Sequence, residues 1–201
     1  MTSGARPKQR QMKNESTPSL SRLDRALLFV VALVALATDQ VSKLLVQANI
    51  PLGVTVPIAP FLTPYLTFTN VQNTGAAFSL FQNANWFFII VATIVAGVIV
   101  YYTPRLPPGD RLSRAALGLQ LAGAVGNLID RLRHGYVTDF IHFQIPEIGF
   151  DWPVSNIADI CIVSGVILMI AWSVIQERAQ MRAQTGQEQK NAQARQETGS
   201  D

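Results

Sequence analysis

The chain has 201 residues, of which 49% are apolar and 14% are charged, and its formal net charge is +3. This composition is too apolar for an ordinary soluble domain, and the polar ends exclude a chain that lies wholly within a bilayer. The basic residues are not grouped beside aromatic ones, which argues against a nucleic-acid partner. With one cysteine and two histidines, a disulfide framework is excluded and a metal site has little support, so we predict chemistry without metal or cofactor.

Composition divides the chain into three segments. Residues 1–22 and 177–201 are polar and predict disordered cytoplasmic tails, because neither buries enough apolar surface to offset ordering entropy; the second has the Ala and Gln content for local helix. Residues 23–176 predict a membrane domain, in which four segments are long enough to cross the hydrocarbon core: about 26–47, 86–102, 115–133 and 155–175. We therefore predict an all-α polytopic membrane protein with four transmembrane helices, and we expect a monomer.

The first apolar segment has an alternative interpretation. Residues 22–37 combine a basic start, an apolar run and small residues at Ala35 and Ala37, as a cleaved signal peptide does. The apolar run resumes after Ala37, and three further segments follow. These features favour an uncleaved first helix.

Lys and Arg are distributed unevenly among the connections. Of the 16, thirteen lie before the first segment, between the second and third, or after the fourth, while 48–85 and 134–154 contain none. By the positive-inside rule both termini are cytoplasmic (N-in/C-in), and those two connections face outward. Alternation in residues 65–69, among several prolines, predicts a small β-rich segment on the outer (periplasmic) face. The second outer connection is unusually apolar, and we expect it to contact lipid or cover a site.

Polar residues within the segments gather near the predicted outer boundary. They are Asp39, Lys43, Asn127, Asp130, Arg131 and Asn156. Asp39 and Lys43 have the i, i+4 order of a helical ion pair, which we interpret as structural. Asp130 and Arg131 are interpreted as bracing helix ends, and the two asparagines as joining helices by hydrogen bonds. Glycines of the third segment predict close helix packing at Gly118, Gly123 and Gly126.

Two further aspartates, Asp139 and Asp159, lie at the same predicted depth. Capping is the alternative interpretation for Asp139, whereas Asp159 follows better cap residues. If the two carboxyls face one another, repulsion and partial burial make the pair share one proton. The ionised member takes a proton from water while the protonated member polarises a carbonyl, which is the chemistry of aspartic proteases. Two acids alone are weak evidence for this chemistry, and the motifs that flank them make the signal specific.

Five short motifs occur in order along the chain: TDQVSK at 38–43, NTGAAFS at 73–79, GNLIDR at 126–131, GYVTDFI at 135–141 and SNIADI at 155–160. Together they resemble the lipoprotein signal peptidase (signal peptidase II) family over about residues 26–176. The resemblance implies an aspartic endopeptidase of the bacterial cytoplasmic (inner) membrane, with its active site near the outer face. It implies cleavage of diacylglyceryl prolipoproteins on the amino side of the lipidated cysteine, and inhibition by globomycin-type antibiotics.

The resemblance also implies roles for single residues. Asp139 and Asp159 match the catalytic pair. Gly75, in the second motif, is interpreted as allowing close approach of the backbone to substrate. The positions that match supporting residues are Asn73, Asn127, Asp130, Arg131, Asn156, Asp39 and Lys43. The implied partners are prolipoprotein substrates and membrane lipid.

Two other classes of protein remain as alternatives. A small ion- or proton-coupled transporter would use the intramembrane charges as a relay, but such charges should spread through the midplane instead of gathering at one face. An assembly factor would use the polar helix faces to bind partners, and it would have no need of Asp139 and Asp159.

Overall fold

The computed structural model describes residues 22–75 and 84–198. Predictions for most of the N-terminal tail, for motif residues 76–79 and for the last three residues lie outside this range. Four helices run from Arg22 to Asn49 (α1), Asn85 to Tyr102 (α2), Arg111 to His134 (α3) and Ile157 to Thr198 (α4). They coincide with the four predicted segments, with α4 extended at its C-terminal end.

Three of the four helices meet the length and hydropathy of a membrane span within the described part of the chain. They are Ala26–Asn49, Asn85–Arg105 and Ile157–Gln189. α3 does not belong to this set, and its packing explains why. It lies between α1 and α4 and buries polar side chains such as Ser113, Asn127 and Asp130, so little of its surface needs to be apolar.

Glycines bring the neighbouring helices close to α3. A Cβ atom on Gly118 would lie 2.6 Å from the carbonyl oxygen of Leu28 in α1, and one on Gly123 would overlap the carbonyl oxygen of Ala158 in α4. The close packing predicted at Gly118, Gly123 and Gly126 is therefore confirmed. α1, α2 and α3 share an apolar core, in which the small side chains of Ala32 and Ala122 pack with Leu28, Ile99 and Leu121.

A four-stranded antiparallel sheet covers one end of the helices. Its strands, in spatial order, are Thr55–Pro57 (β1), Leu66–Asn73 (β2), Val137–Ile145 (β3) and Phe150–Asp151 (β4). The predicted β-rich segment is thus present in the connection 48–85, whereas β3 was not predicted. In β3 Phe140 is buried against Val46 of α1 and Ile50, the residue that follows α1, which attaches the sheet to the bundle.

The connection formed by residues 134–154 is partly buried and partly exposed. Phe140 is buried and Trp152 lines a cavity between the sheet and the helices, while the side chain of Ile148 is 73% exposed. Some of its apolar residues thus cover a site, as one of the two predicted alternatives states. The exposed apolar residues are available for contact with lipid, and that contact stays a prediction.

The C-terminal part of α4 differs from the disordered tail expected after residue 176. α4 has 42 residues and continues to Thr198, a length of about 63 Å at 1.5 Å per residue. Ala, Gln, Glu and Arg dominate this part, and all are good helix formers. Because the preceding span is already helical, elongation into such a sequence needs no new nucleus.

Candidate active site

Lys43 joins α1 to α3 through a buried ionic cluster. Its Nζ lies 2.9 Å from Asp39 Oδ2 and 3.1 Å from Asp130 Oδ2, and it donates a hydrogen bond of 3.0 Å to Asn127 Oδ1. The predicted Asp39–Lys43 ion pair is therefore present. The other oxygen of Asp39 accepts a hydrogen bond from the backbone N–H of Ala158 in α4. A buried ion pair is costly to break, so this cluster fixes three helices relative to one another.

Asn127 connects the cluster to Asp159. Because the ammonium of Lys43 has only donors, the amide atom facing it must be the oxygen. Oδ1 of Asn127 also accepts from Asn156 Nδ2 at 3.2 Å. The Nδ2 group therefore points to Asp159, to which it donates at 2.8 Å.

Asp139 lies in β3, with its side chain buried between two asparagines. Nδ2 of Asn156 donates to Oδ1 at 2.6 Å, and Nδ2 of Asn73, at the end of β2, donates to Oδ2 at 2.8 Å. Both amides are oriented by backbone donors, since their oxygens accept from the N–H groups of Asp159 and Gly75. The two aspartates are thus linked through Asn156 and Asn127.

Burial is the main cause that raises the pKa of the Asp139 carboxyl, to about 7, and repulsion by Asp159 adds to it. The hydrogen bonds from Asn73 and Asn156 and the charge of Lys43 oppose the shift. A carboxyl with this pKa can hold or release a proton near neutral pH, as a general acid or base must.

Arg131 contacts the segment that precedes the undescribed residues 76–83. Its Nη2 donates to the carbonyl oxygen of Gly75 at 3.2 Å, and its guanidinium lies 4.8 Å from the ring centroid of Phe88. Asp130 instead faces Lys43 and accepts from the backbone N–H of Thr138 at 3.1 Å. The two residues brace different elements, α3 to the Gly75 segment and α3 to β3, and the structure shows no ion pair between them.

A cavity of about 620 Å³ opens beside the two aspartates. Its polar lining includes Asn73, Gly75, Asn127, Arg131, Asp139 and Asp159. Apolar side chains of α2 and α4 form the opposite wall: Phe88, Val91, Val95, Ile160 and Val163. The cavity therefore presents two carboxyls to one side of a bound molecule and an apolar surface to the other.

Two glutamines in the network were not among the predicted site residues. Gln40 donates to Asp130 Oδ1 at 3.2 Å and to the carbonyl oxygen of Gly126 at 3.3 Å. Gln47 donates to Thr138 Oγ1 at 2.6 Å. Gln40 directly follows Asp39 in the first motif, and this position could have indicated its role in the network. Thr138 likewise directly precedes Asp139 in the fourth motif. Gln47 lies outside the motifs, and its contact with Thr138 depends on β3 packing against α1.

Comparison with known proteins gives a consistent result. The sequence model of the family described as signal peptidase (SPase) II matches residues 31–175, which contain all ten predicted site residues. A lipoprotein signal peptidase of Shouchella clausii is 41% identical over 155 residues, covering 77% of this chain and 97% of that protein.

Two solved structures, each described as a bacterial membrane enzyme, also resemble the chain. One has a TM-score of 0.67 at 31% identity and covers 75% of this chain and 88% of its own. The other has a TM-score of 0.63 at 33% identity, with coverages of 72% and 90%. As its sequence motifs predicted, the chain belongs to the signal peptidase II family.

Proposed function

We propose that the protein is an intramembrane aspartic endopeptidase that removes the signal peptide from diacylglyceryl-modified prolipoproteins. Cleavage occurs on the amino side of the lipidated cysteine. Membership of the signal peptidase II family supports the peptidase activity. The observation that carries the aspartic mechanism is the pair formed by Asp139 and Asp159, which line one cavity and are linked through Asn127 and Asn156.

In the proposed reaction the pair begins with one shared proton. The ionised carboxylate removes a proton from water, whose oxygen attacks the carbonyl carbon, while the protonated carboxyl donates a hydrogen bond to the carbonyl oxygen. As the C–N bond breaks, a carboxyl gives a proton to the leaving nitrogen. Water is thus divided between the two products, and the pair recovers its original protonation. The raised pKa of Asp139 supports a pair that still holds this proton near pH 7.

The surroundings of the pair suit a peptide that carries lipid. The apolar wall from α2 and α4 offers Phe88, Val91 and Val163 to acyl chains or to the apolar part of a signal peptide. On the polar side, Asn73, Gly75 and Arg131 lie near the two aspartates, where backbone groups of the substrate need hydrogen-bond partners. A substrate held in the bilayer would reach this cavity sideways.

We further propose that all four helices cross the bacterial cytoplasmic membrane, N-in/C-in, with the pair near the outer face. α3 has 24 residues, about 36 Å, which is long enough to span the hydrocarbon core. Its polar residues Asn127 and Asp130 contact α1, α4 and β3, so they need not face lipid. The charge distribution in the connections supports the orientation.

Substitution of each aspartate tests the mechanism. We expect Asp139→Asn and Asp159→Asn to lower cleavage of a purified diacylglyceryl prolipoprotein below detection, by at least about a thousandfold. The matched control is Asp151→Asn, which changes an exposed aspartate that pairs with His142 in the same sheet. It should retain activity. Normal cleavage by either dyad variant, with the protein folded, would disprove the assignment, and zinc-reversible inhibition by EDTA would indicate a metal enzyme instead.

A further inference from the structure

The cavity beside the aspartate pair continues along α3 and α4, away from the sheet. Gln120, Ala124 and Asn127 of α3 line it, at the i, i+4, i+7 spacing of one helix face. Gln120 is thus about 10 Å from Asn127 along the helix axis at 1.5 Å per residue. On the antiparallel α4, Ser164 lies five positions beyond Asp159 and also lines the cavity. Two polar side chains therefore lie at its far end, where the other lining residues are apolar.

The side chain of Gln120 lies against α4, next to Ser164. A Cβ atom on Gly165 would be 2.6 Å from Cγ of Gln120, so this glycine makes room for the glutamine beside its neighbour Ser164. In the part of the chain that the structure describes, neither side chain has a hydrogen-bond partner. Both side chains are only partly buried, and none of their polar atoms is enclosed by the described residues. Their hydrogen-bonding groups are therefore open to a molecule in the cavity.

A signal peptide that is cut at the aspartate pair has to extend from the pair toward this end of the cavity. In the proposed orientation the pair lies near the outer face, whereas the basic start of a signal peptide stays on the cytoplasmic side. The residues that precede the cut bond therefore run inward, past Ala124. An extended chain advances about 3.3 Å per residue, so the third residue before the cut lies at the depth of Gln120 and Ser164.

The backbone of such a substrate has unpaired polar groups at this depth. In a helix the carbonyl group of the bond to be cut is hydrogen-bonded along the axis, so the bond must leave the helix before water and the carboxyls reach it. The carbonyl oxygens of the last helical turn then lack N–H partners. No water replaces these partners in the hydrocarbon core, so each unpaired group is costly. The amide of Gln120 can donate and accept, and the hydroxyl of Ser164 can donate.

We propose that Gln120 and Ser164 form a subsite that binds the backbone of the signal peptide about three residues before the cut bond. Nε2 of Gln120 donates to a carbonyl oxygen of the substrate, its Oε1 accepts from a backbone N–H, and Oγ of Ser164 donates to a neighbouring carbonyl oxygen. The peptide is then held at the subsite and at the aspartate pair, which keeps the segment between them extended. The inference rests on the proposed function, and both residues position the substrate without taking part in proton transfer.

A double-mutant cycle between the full-length protein and its substrate tests this contact. In one synthetic diacylglyceryl prolipoprotein peptide, an ester replaces the amide that joins the fourth and third residues before the cut, which removes an N–H and weakens the carbonyl oxygen as an acceptor. In the unchanged protein we expect this near ester to lower kcat/KM about tenfold. Gln120→Met keeps the length of the side chain without its amide. It should cut the all-amide peptide about tenfold more slowly, and the near ester should cause no further loss.

Controls on both molecules separate contact from packing. A peptide with its ester ten residues before the cut should lose no activity that depends on Gln120. Matched protein controls are Gln180→Met and Ser173→Ala, which change exposed residues of α4 outside the cavity and should leave the effect of the near ester unchanged. Ser164→Ala removes a single oxygen atom, so it tests the contact even if Gln120→Met does not fold, and it should reduce the effect of the near ester.

The size of the ester effect in the variants decides the outcome. If the near ester lowers kcat/KM by the same factor in the unchanged protein, Gln120→Met and Ser164→Ala, the two side chains do not bind the backbone and the proposal is overturned, even where a variant is slower because its packing has changed. Cleavage of the all-amide peptide by the unchanged protein reports separately on the proposed function. Its absence would refute that function, and the subsite with it.

Discussion

At the scale of single residues, the orientation of three asparagine amides controls the two aspartates. The amide oxygen of Asn127 accepts a hydrogen bond from Lys43, and the amide oxygens of Asn156 and Asn73 each accept one from a backbone N–H group. Their N–H groups must therefore point to carboxylate oxygens. Each aspartate receives at least one such donor, which holds its carboxyl group in place without the full counter-charge of a salt bridge. A pair held in this way remains able to exchange a proton.

The raised pKa of Asp139 predicts the pH dependence of cleavage. Its value of about 7 lies above the ordinary 3.8 of an aspartate. The pair loses its shared proton as pH rises through this range, so kcat/KM should fall about tenfold per pH unit above about pH 7. The measurement is a pH–rate profile with a diacylglyceryl prolipoprotein. A profile that stays flat to pH 9 would contradict the shared proton.

Asn73 offers a test of the sign of this effect. Its hydrogen bond lowers the pKa of Asp139, so its removal should raise that pKa further. In Asn73→Ala the alkaline fall should therefore begin at a higher pH, besides any loss of rate. The matched control, Asn70→Ala, removes a buried asparagine from the same strand that donates to the carbonyl oxygen of Ile50. Asn70→Ala should leave the midpoint of the alkaline fall the same as in the unchanged protein.

Gly126 tests the packing beneath the ionic cluster. A Cβ atom there would lie 2.6 Å from Asp39 Oδ2 and 3.3 Å from the Cβ of Ala158. We expect Gly126→Ala to lower the free energy of unfolding by about 1–3 kcal/mol, because overpacking must move the carboxylate or a helix. Thermal unfolding in detergent measures the change. Gly97→Ala is the control, since a Cβ at Gly97 meets nothing within 4 Å; an equal loss in both variants would refute the packing argument.

At the scale of elements, β3 places Asp139 against the helices. Thr138, the preceding residue, receives a hydrogen bond from Gln47 of α1 and donates its backbone N–H to Asp130 of α3. Thr138 is thus bonded to α1 through its side chain and to α3 through its backbone. The position of Asp139 depends on this attachment as well as on its own asparagine partners.

Thr138→Val tests the attachment of β3. Valine has the shape of threonine and favours strands, but it cannot accept the hydrogen bond from Gln47. We expect kcat/KM to fall about tenfold through misplacement of Asp139, and the free energy of unfolding to fall by about 1 kcal/mol. Thr55→Val is the control, because it removes an exposed hydroxyl that bonds Thr69 in the same sheet. Full activity of Thr138→Val would show that the bond does not position the aspartate.

The sequence predicted the helices better than it predicted the strand that contains Asp139. Apolar length and composition suffice for α1, α2 and α4, and the ordered motifs indicated the polar positions near one end of the bundle. β3 could not be predicted in the same way. All four residues 137–140 are buried, so the strand lacks the alternation that marks a half-exposed one. Its pairing with β2 is a contact across more than sixty residues.

At the scale of the whole molecule, α3 joins the two ends of the protein. Its C-terminal half carries Asn127 and Asp130 beside the aspartate pair, and its N-terminal turn, capped by Asp110, lies at the opposite end and borders a cavity that is also lined by Trp172 of α4. Because its polar side chains pack against protein, α3 can be the least apolar helix and still belong in a membrane. The direction in which the bundle crosses the bilayer can be measured with introduced cysteines, because the chain has a single native cysteine.

Cysteine labelling in intact cells measures this direction. Cys161 is the only cysteine of the chain and is buried in α4, so the unchanged protein should react little with a membrane-impermeant maleimide. We expect Ile148→Cys, in the sheet connection, to be labelled once the outer envelope is permeable to the reagent. Pro108→Cys, between α2 and α3, should react only after the cytoplasmic membrane is opened. If Pro108→Cys reacts first, the N-in/C-in orientation is wrong and the aspartate pair faces the cytoplasm, where a signal peptide of an exported lipoprotein could not be cut after translocation.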